Sequence, residues 1–373
     1  MFTALPIVRL ISYIRLTKLG EWALNKKQVL RTAIFLALVL AVLVLLSDLF
    51  KYKNTYMSEA YADYKNQRSG TVDAVYLGSS AVNRYWIAAK AYDDYGMTVY
   101  PLSTDSQPPW LTLTMLQEAM ASQNPKLVII DIRSFAMTKQ NTLGRIERSS
   151  RYLIDELPFF SPRRWKAIDR SLEIMHRLDP ENYPRIDISY AFPFIRFHSK
   201  WDNEDFTFDE LAQQPSDILG FYLTKRNSVS HKKIELRSTE KEDVLEPWSE
   251  EYLRELLQYL KDHNIDALFV NSPHEADDLS LARYNTMQRI IEGEGFPYLS
   301  YVSKEKIAEG IFDEKTDFYN KGHVNYEGAV KFTGDLAAYL DQNYDLPDHR
   351  QDPKCSSWNG VFRKIQKKIK KLK

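Results

Sequence analysis

Two segments of the chain carry residue types suited to nucleophilic acyl chemistry. In the first, the apolar run 72–77 leads directly into Gly78-Ser79-Ser80. A hydroxyl at the carboxyl end of a parallel strand is exposed at the sheet edge, and the N–H groups of a following helix face a developing oxyanion there. Glycine lets the chain turn sharply at that point. The segment predicts a nucleophilic serine, although a serine that only caps a helix gives the same pattern.

The second segment, residues 317–333, reads DFYNKGHVNYEGAVKFT and holds His323 in a polar loop before an amphipathic helix capped near Asn325. On the last loop of a parallel sheet, His323 would lie beside the end of the first strand, which is the geometry that a serine–histidine pair needs. We therefore expect Ser80 and His323 to fold within hydrogen-bond reach. His274, which follows another predicted strand, is the competing candidate for the base.

Apolar runs rich in β-branched residues alternate with helical stretches along much of the chain. Runs that are apolar throughout are typical of parallel strands covered on both faces. The predicted strands are 72–77, 97–102, 127–132, 267–272 and 296–302. The predicted helices are 108–122, 250–264, 278–293 and 326–339. The pattern predicts an α/β domain over residues 71–345 with a doubly wound, flavodoxin-like three-layer fold and a parallel sheet.

Residues 134–247 interrupt this alternation. They are rich in Arg, Asp, Pro and aromatic residues and include a helical stretch at 163–178. A connection this long needs structure of its own. We interpret it as an insertion over the strand ends, either a lid or substrate platform or a padding subdomain.

An uncharged stretch near the N-terminus, TAIFLALVLAVLVLLS at 32–47, predicts a membrane helix. As a helix it spans about 24 Å, and apolar flanks within 29–50 bring it close to the thickness of a bilayer core. More Lys and Arg precede it than follow it, which predicts that residues 1–28 are cytoplasmic and the remainder extracytoplasmic. We expect an uncleaved anchor in the cell membrane, because the basic region is too long for a typical signal peptide.

The flanks of the predicted domain are polar. Residues 51–70 are rich in tyrosine and predict a stalk between the membrane helix and the domain. Residues 346–373 form a basic tail that ends in FRKIQKKIKKLK, an amphipathic sequence. We expect this tail either to be frayed and solvated or to contact anionic lipid or anionic polymer.

Composition excludes several classes of function. Lys and Arg number 50, as do Asp and Glu, so the formal net charge is zero and a globally basic nucleic-acid-binding protein is disfavoured. The single cysteine, Cys355, permits neither an intramolecular disulfide nor a zinc site built from several cysteines. The remaining histidines lack metal-binding spacing. The sequence predicts no metal and no cofactor.

Together, the two segments resemble the SGNH/GDSL hydrolase superfamily over roughly residues 70–135 and 260–340. Gly78-Ser79-Ser80 resembles the first conserved block of that family, and residues 317–333 resemble the fifth. The resemblance is closest to the cell-envelope branch, whose members carry one N-terminal membrane helix and act in teichoic-acid D-alanylation or polysaccharide O-acetylation. It implies that Ser80 is the nucleophile, with Ser79 as the second choice, and that His323 is the base.

The chain departs from the family pattern at the residue that orients the histidine. The family has Asp three residues before it, where this chain has Asn320, and Asp317 lies three residues further upstream. Asn can hold the tautomer of an imidazole but cannot stabilise the imidazolium by charge. Either Asp317 takes that role or the triad is Ser80–His323–Asn320. The resemblance also implies oxyanion or substrate contacts from Gly78, Ser79, Thr104, Ser106, Gln107 and Asn271.

The predicted function is an extracytoplasmic serine esterase or O-acyltransferase that acts on ester-linked acyl groups of a cell-surface polysaccharide or teichoic-acid-like polymer. A multi-pass O-acyltransferase is a candidate partner. The alternative is a non-catalytic SGNH-fold partner of a membrane-bound O-acyltransferase or polymer exporter. This alternative is motivated by Asn320 and by two segments, 101–110 and 270–278. They stand where the family has its conserved oxyanion residues but match that pattern only in part.

Overall fold

The structure, a computed structural model, describes residues 25–51, 55–199, 215–230 and 233–372. The chain divides into two compact units, residues 1–47 and residues 48–373. Most of the predicted cytoplasmic segment, residues 1–28, lies outside the described residues.

The N-terminal unit contains most of the apolar helix expected from the sequence. Helix α1, Lys26–Phe50, is 25 residues long, and most of its apolar side chains, among them Phe35 and Leu38, are exposed. In the part of the chain that the structure describes, α1 is the one helix long and apolar enough to cross a membrane. The prediction of an apolar helix at 29–50 is confirmed, with three more residues at its start.

The C-terminal unit is built on a five-stranded parallel sheet. The strands are β1 (Ala74–Gly78), β2 (Val99–Ser103), β3 (Leu127–Asp131), β4 (Asp266–Asn271) and β5 (Tyr298–Ser300). Their order is β2-β1-β3-β4-β5, and every neighbouring pair is parallel. All five predicted strands are present. They were recognisable because β1, β2 and β3 are buried along their whole length, which requires apolar residues on both faces.

Helices connect the strands and fill the insertion. Those around the sheet are α2 (Thr55–Asn66), α3 (Ser80–Tyr85), α4 (Ala88–Tyr95), α5 (Pro109–Gln123), α11 (Pro247–Asp262), α12 (Asp278–Gly293), α13 (Lys304–Ala308), α14 (Tyr326–Asn343) and α15 (Val361–Leu372). Those of the insertion are α6 (Lys139–Leu143), α7 (Ile146–Ile154), α8 (Pro162–Leu178), α9 (Ile188–Ala191) and α10 (Phe194–Phe197). A two-stranded antiparallel hairpin, β6 (Phe318–Asn320) and β7 (His323–Val324), precedes α14.

The insertion is anchored to the sheet unit by its longest helix. The indole N–H of Trp110 in α5 donates to the hydroxyl of Ser171 in α8 at 3.0 Å, and Trp110 is fully buried. Within the described residues, the insertion therefore has structure of its own, as its length required.

Residues 51–70 are not a free stalk. Helix α2 occupies most of this segment and buries Met57, Tyr61 and Tyr64. The hydroxyl of Tyr64 donates to the carbonyl oxygen of Ala119 in α5 at 3.0 Å. The apolar spacing of these three residues matches one face of a helix, so the segment buries surface against the domain.

The basic tail is not frayed either. Helix α15 buries Val361, Ile365 and Ile369, which recur every four residues and form its apolar face. Lys364 and Lys368 each pair with Asp217 at 2.7 Å. The tail is a folded part of the C-terminal unit, and the expectation of a solvated end was wrong.

Candidate active site at the carboxyl edge of the sheet

The serine pair lies where β1 passes into α3. Gly78 has φ +152°, and a Cβ on it would lie 2.9 Å from both the Cβ of Asp131 and the Cγ2 of Val82. No larger residue fits there, which explains why the strand ends in glycine. Ser79 stands at the N-cap position of α3 but makes no capping hydrogen bond with its side chain, and Ser80 is the first residue of the helix.

A tight hairpin positions the histidine. Asn320 at the end of β6 faces His323 at the start of β7, with only Lys321 and Gly322 between them. The Oδ1 atom of Asn320 accepts a hydrogen bond from the backbone N–H of Gly322 at 2.9 Å, as short polar side chains do in turns. Asn325 then caps α14, as expected, because its Oδ1 accepts from the N–H of Gly328 at 3.1 Å.

Ser80, His323 and Asn320 form a continuous hydrogen-bonded chain. The Oγ of Ser80 lies 2.8 Å from the Nε2 of His323, although 243 residues separate them. The Nδ1 of His323 lies 3.1 Å from the Oδ1 of Asn320. The N–H of Gly322 can only donate, so the atom it binds on Asn320 is an oxygen, and Nδ1 of His323 must carry the proton. Nε2 is then the acceptor for the hydroxyl of Ser80, the arrangement of a general base poised on a nucleophile.

Asp317 does not contact His323. It is 2% exposed, and its Oδ2 pairs with the Nζ of Lys331 at 2.7 Å. The same oxygen accepts from the backbone N–H of Asp313 at 2.7 Å. Of the two orienting residues that the sequence left open, the structure puts Asn320 on the imidazole and engages Asp317 elsewhere.

The surroundings of His323 favour its neutral form. Burial lowers the pKa of His323 well below its usual value of 6.5, and the positive charges of Arg84 and Arg133 add to the effect. Tyr319 stacks on the imidazole, with ring centroids 5.5 Å apart and planes 6° from parallel. A neutral ring with a free acceptor nitrogen is the state in which a histidine removes a proton.

Arg133 holds the hairpin in place. Its Nη2 donates to the carbonyl oxygen of Gly322 at 2.9 Å, and its Nη1 donates to the hydroxyl of Tyr85 at 3.1 Å. Tyr85 in turn lies 2.8 Å from the same Gly322 oxygen. The residue before His323 is thus bound from two sides. Sequence reasoning missed Arg133, yet its place just after β3 is equivalent to that of Gly78-Ser79-Ser80 after β1, and that position was the available signal.

The predicted oxyanion and substrate residues at the end of β2 lie close to the serine turn. The N–H of Thr104 donates to the carbonyl oxygen of Gly78 at 3.2 Å. The buried hydroxyl of Thr104 has no hydrogen-bond partner among the described residues. Gln107 is fully buried and donates to Thr112 at 3.1 Å. Within the described part of the chain, the hydroxyl of Thr104 is thus wholly unpartnered, whereas one of the two amide N–H groups of Gln107 is engaged by Thr112.

Asn271 lies at the end of β4 and is fully buried. Its side chain neighbours the hydroxyl of Tyr298 on β5, where it lowers the pKa of that hydroxyl while burial raises it. The structure records no hydrogen bond between Asn271 and Ser80 in the described part of the chain. Neither Nδ2 nor Oδ1 of Asn271 has a hydrogen-bond partner among the described residues, so its role as an oxyanion donor stays a prediction.

Two further arginines that the sequence did not single out lie near the imidazole. Arg84 is tied to Asp105 through two hydrogen bonds of 2.6 and 3.1 Å, so its charge is compensated. Arg145 is exposed and donates to the hydroxyl of Ser106 at 3.2 Å. Arg145 has no carboxylate partner within the described ranges, so its cation is available to a ligand.

His274, the competing base, is fully engaged. Its Nδ1 lies 2.8 Å from the carbonyl oxygen of Ser272, and its Nε2 lies 3.0 Å from the hydroxyl of Tyr284. Burial lowers its pKa well below the usual value. Because both ring nitrogens already have partners, His274 is not placed to act on Ser80.

One group of side chains has the composition of a metal site. Ligand atoms of His349, Asp352 and Cys355 lie within 4.8 Å of one another. The two nitrogens of His349 already face the carboxylates of Asp73 and Asp352. Burial raises the pKa of the Cys355 thiol to about 11, so it is protonated at neutral pH. A protonated thiol and an imidazole held by carboxylates are poor ligands, and we interpret the group as structural.

Comparison with known protein families finds no match, and comparison with curated proteins finds none either.

Proposed function

We propose that the chain is a serine esterase or O-acyltransferase with Ser80 as nucleophile, His323 as base and Asn320 as the residue that orients the base. The observation that carries the proposal is the 2.8 Å contact between Ser80 Oγ and His323 Nε2, with Asn320 on the far nitrogen. Two residues so distant in sequence meet in this geometry at the sheet edge where parallel α/β proteins place their active sites. The same proposal includes a three-layer SGNH fold for the C-terminal unit.

In the proposed reaction, Nε2 of His323 takes the proton of the Ser80 hydroxyl while Oγ attacks the carbonyl carbon of an acyl ester. The N–H of Ser80 and the free hydroxyl of Thr104 are the candidate donors to the oxyanion. The imidazolium then returns the proton to the departing alkoxide, which leaves an acyl group on Ser80. Water or a second hydroxyl, deprotonated by His323, takes the acyl group and regenerates the serine.

The proposed setting is the outer side of a membrane, with α1 as an uncleaved anchor. The length and apolar surface of α1 support a membrane helix. The larger number of Lys and Arg residues before it than after it supports the outer side for the rest of the chain. The proposed substrate is the ester-linked acyl group of a cell-surface polysaccharide or teichoic-acid-like polymer, and a multi-pass O-acyltransferase is the proposed partner. The exposed cation of Arg145 would suit an anionic polymer.

The test uses a fluorophosphonate probe, which reacts with activated serines, on the full chain in detergent micelles. We expect labelling of the parent protein and of Ser79→Ala, and loss of labelling in Ser80→Ala. Ser79 is the matched control because it has the same side chain one residue away. An unlabelled parent, or equal labelling of Ser80→Ala, would defeat the proposal.

A second candidate function is that of a non-catalytic partner of a membrane acyltransferase or polymer exporter. It is favoured by the neutral Asn320 in place of a carboxylate, because an amide cannot stabilise the imidazolium by charge. In that case the probe leaves the parent unlabelled while the protein still co-purifies with an acyltransferase or exporter.

A further inference from the structure

Five exposed cations cluster around the C-terminal half of α15. Lys367, Lys370 and Lys371 belong to the helix, and Lys225 and Arg226 belong to the 3-10 helix Lys225–Ser228. The hydroxyl of Ser228 donates to the carbonyl oxygen of Leu372 at 3.2 Å, which joins the two pieces. Among the described residues, none of the five pairs with a carboxylate. We call these five residues the basic surface.

The basic surface is held rigidly. Ile365 and Ile369 are buried in the domain, so the lysines between and after them are directed outward. The nearest acid, Asp217, is already shared by Lys364 and Lys368 at 2.7 Å each. The whole chain has equal numbers of Lys plus Arg and of Asp plus Glu, so the excess of positive charge on the basic surface is local.

Helix α15 lies beside α2, the first helix after the membrane segment. The indole of Trp358, just before α15, donates to Gln67 at the end of α2 at 3.0 Å. Further along α15, Lys368 pairs with Asp217, whose neighbour Ser216 donates its N–H to the carbonyl of Glu59 in the first half of α2 at 2.9 Å. The end of α15 is therefore next to the beginning of α2.

The beginning of α2 is close to the end of α1 along the chain. Residues 51–54 are all that separate the two helices, and this length of chain reaches at most about 18 Å. If α1 crosses a bilayer, as proposed above, this short connection allows the basic surface to reach the headgroups into which the chain emerges. Fixed charges act on an anionic surface over about 10 Å at 0.1 M salt, so proximity decides whether they bind.

We propose that the basic surface binds anionic phospholipid headgroups and so restrains the C-terminal unit against the membrane that α1 enters. The inference rests on the proposed membrane helix and is independent of the proposed catalysis. A cationic helix face next to an anionic leaflet is a recognised mode of attachment, with each Lys or Arg contributing separately.

The experiment compares the full chain in nanodiscs of phosphatidylcholine alone and of phosphatidylcholine mixed with phosphatidylglycerol. Lysine acetylation, read by mass spectrometry, reports the accessibility of each lysine. We expect labelling of Lys367, Lys370 and Lys371 to fall severalfold in the anionic discs and to recover in high salt. Exposed Lys304, on α13, is the internal control and should not change.

Equal labelling of these lysines in both kinds of disc would overturn the proposal. So would protection by a soluble polyphosphate in neutral discs without protection by phosphatidylglycerol, which would identify a polymer-binding surface instead. A triple variant, Lys367→Gln, Lys370→Gln and Lys371→Gln, should abolish the lipid-dependent slowing of amide hydrogen exchange in α15. The matched triple variant Lys241→Gln, Lys304→Gln and Lys315→Gln, at exposed sites elsewhere, should retain it.

Discussion

His323 and His274 occupy two comparable regions of the molecule and differ in one respect. His274 follows β4, and His323 begins β7 and contacts Ser80 at the end of β1. Burial lowers the pKa of both well below the usual value. His274 has each ring nitrogen within hydrogen-bond distance of a protein partner that is not a nucleophile. His323 has one nitrogen fixed by Asn320 and the other on the hydroxyl of Ser80.

The difference shows that burial and a shifted pKa do not by themselves identify a base. What distinguishes His323 is a nitrogen lone pair directed at a serine at the end of a strand. His274, in contrast, bridges the loop after β4 to Tyr284 of α12 and has no acceptor nitrogen left over. Substitutions at the two histidines and at the residues that surround His323 test this difference.

The largest expected effect is that of removing the base. His323→Ala should lower kcat/KM for 4-nitrophenyl acetate by at least about 10³-fold, because loss of the base of a serine–base pair removes most of the catalysis. His274→Gln is the control. It should leave kcat/KM within about twofold but lower the free energy of unfolding by about 1–3 kcal/mol, since it leaves buried partners unsatisfied. If His274→Gln lowered kcat/KM more than His323→Ala does, His274 and not His323 would be the base.

Arg133 should give the next largest effect, through the position of His323. Arg133→Lys, which cannot make both contacts, should lower kcat/KM by about 10²-fold because small misplacements of a catalytic group are costly. Arg133→Met should lose as much and should also shift the acid limb of the pH–rate profile upward, because the positive charge that lowers the pKa of His323 is gone. If Arg133→Met loses activity but keeps the acid limb of the parent, Arg133 has only a structural role.

Asn320→Asp tests the orienting residue by pH. In the parent, the pKa of His323 lies below 6.5, so the base is neutral above that pH and activity should fall only on stronger acidification. A carboxylate at position 320 stabilises the imidazolium and raises the pKa of His323. The acid limb of the pH–rate profile should therefore move to higher pH by about 1–3 units. An unchanged limb in kcat/KM measured from pH 4 to 9 would show that Asn320 does not contact the working base.

Arg145 should give the smallest effect. Its guanidinium is exposed, so Arg145→Gln should reduce kcat/KM for an anionic acyl ester by up to about fivefold. The rate with a neutral ester should not change. If added salt removes the parent's higher kcat/KM for the anionic ester, the effect is electrostatic. If Arg145→Gln lowers kcat/KM equally for both esters, Arg145 does not take part in substrate recognition.

The strands of the sheet could be predicted because each is a continuous apolar run, and α1 could be predicted because it is apolar on every face. The helices α2 and α15 were predicted as a stalk and a tail because both segments are rich in polar or charged residues. Met57, Tyr61 and Tyr64 nevertheless recur at helical spacing, and that signal was overlooked. The tail was recognised as amphipathic, but Val361, Ile365 and Ile369 were not expected to pack against the domain.

Within the candidate site, the serine turn and the histidine loop could be predicted from local pattern and from the rule that parallel strands share a carboxyl edge. The choice between Asp317 and Asn320 could not, because it depends on the register of a two-residue hairpin and on Lys331 pairing with Asp317. The position of Arg133 after β3 was a usable signal, but its contact with Gly322 and that of Arg145 with Ser106 could not be predicted, since these partners are remote in sequence.

The distance along the chain between Ser80 and His323 has a consequence for biosynthesis. A ribosome that has just made Ser80 must add 243 more residues before His323 exists, which takes roughly 10–50 s at ordinary rates of translation. Throughout that interval the serine lacks its base and is an ordinary alcohol. Any reactivity we propose can therefore begin only after His323 has been made and has folded against Ser80.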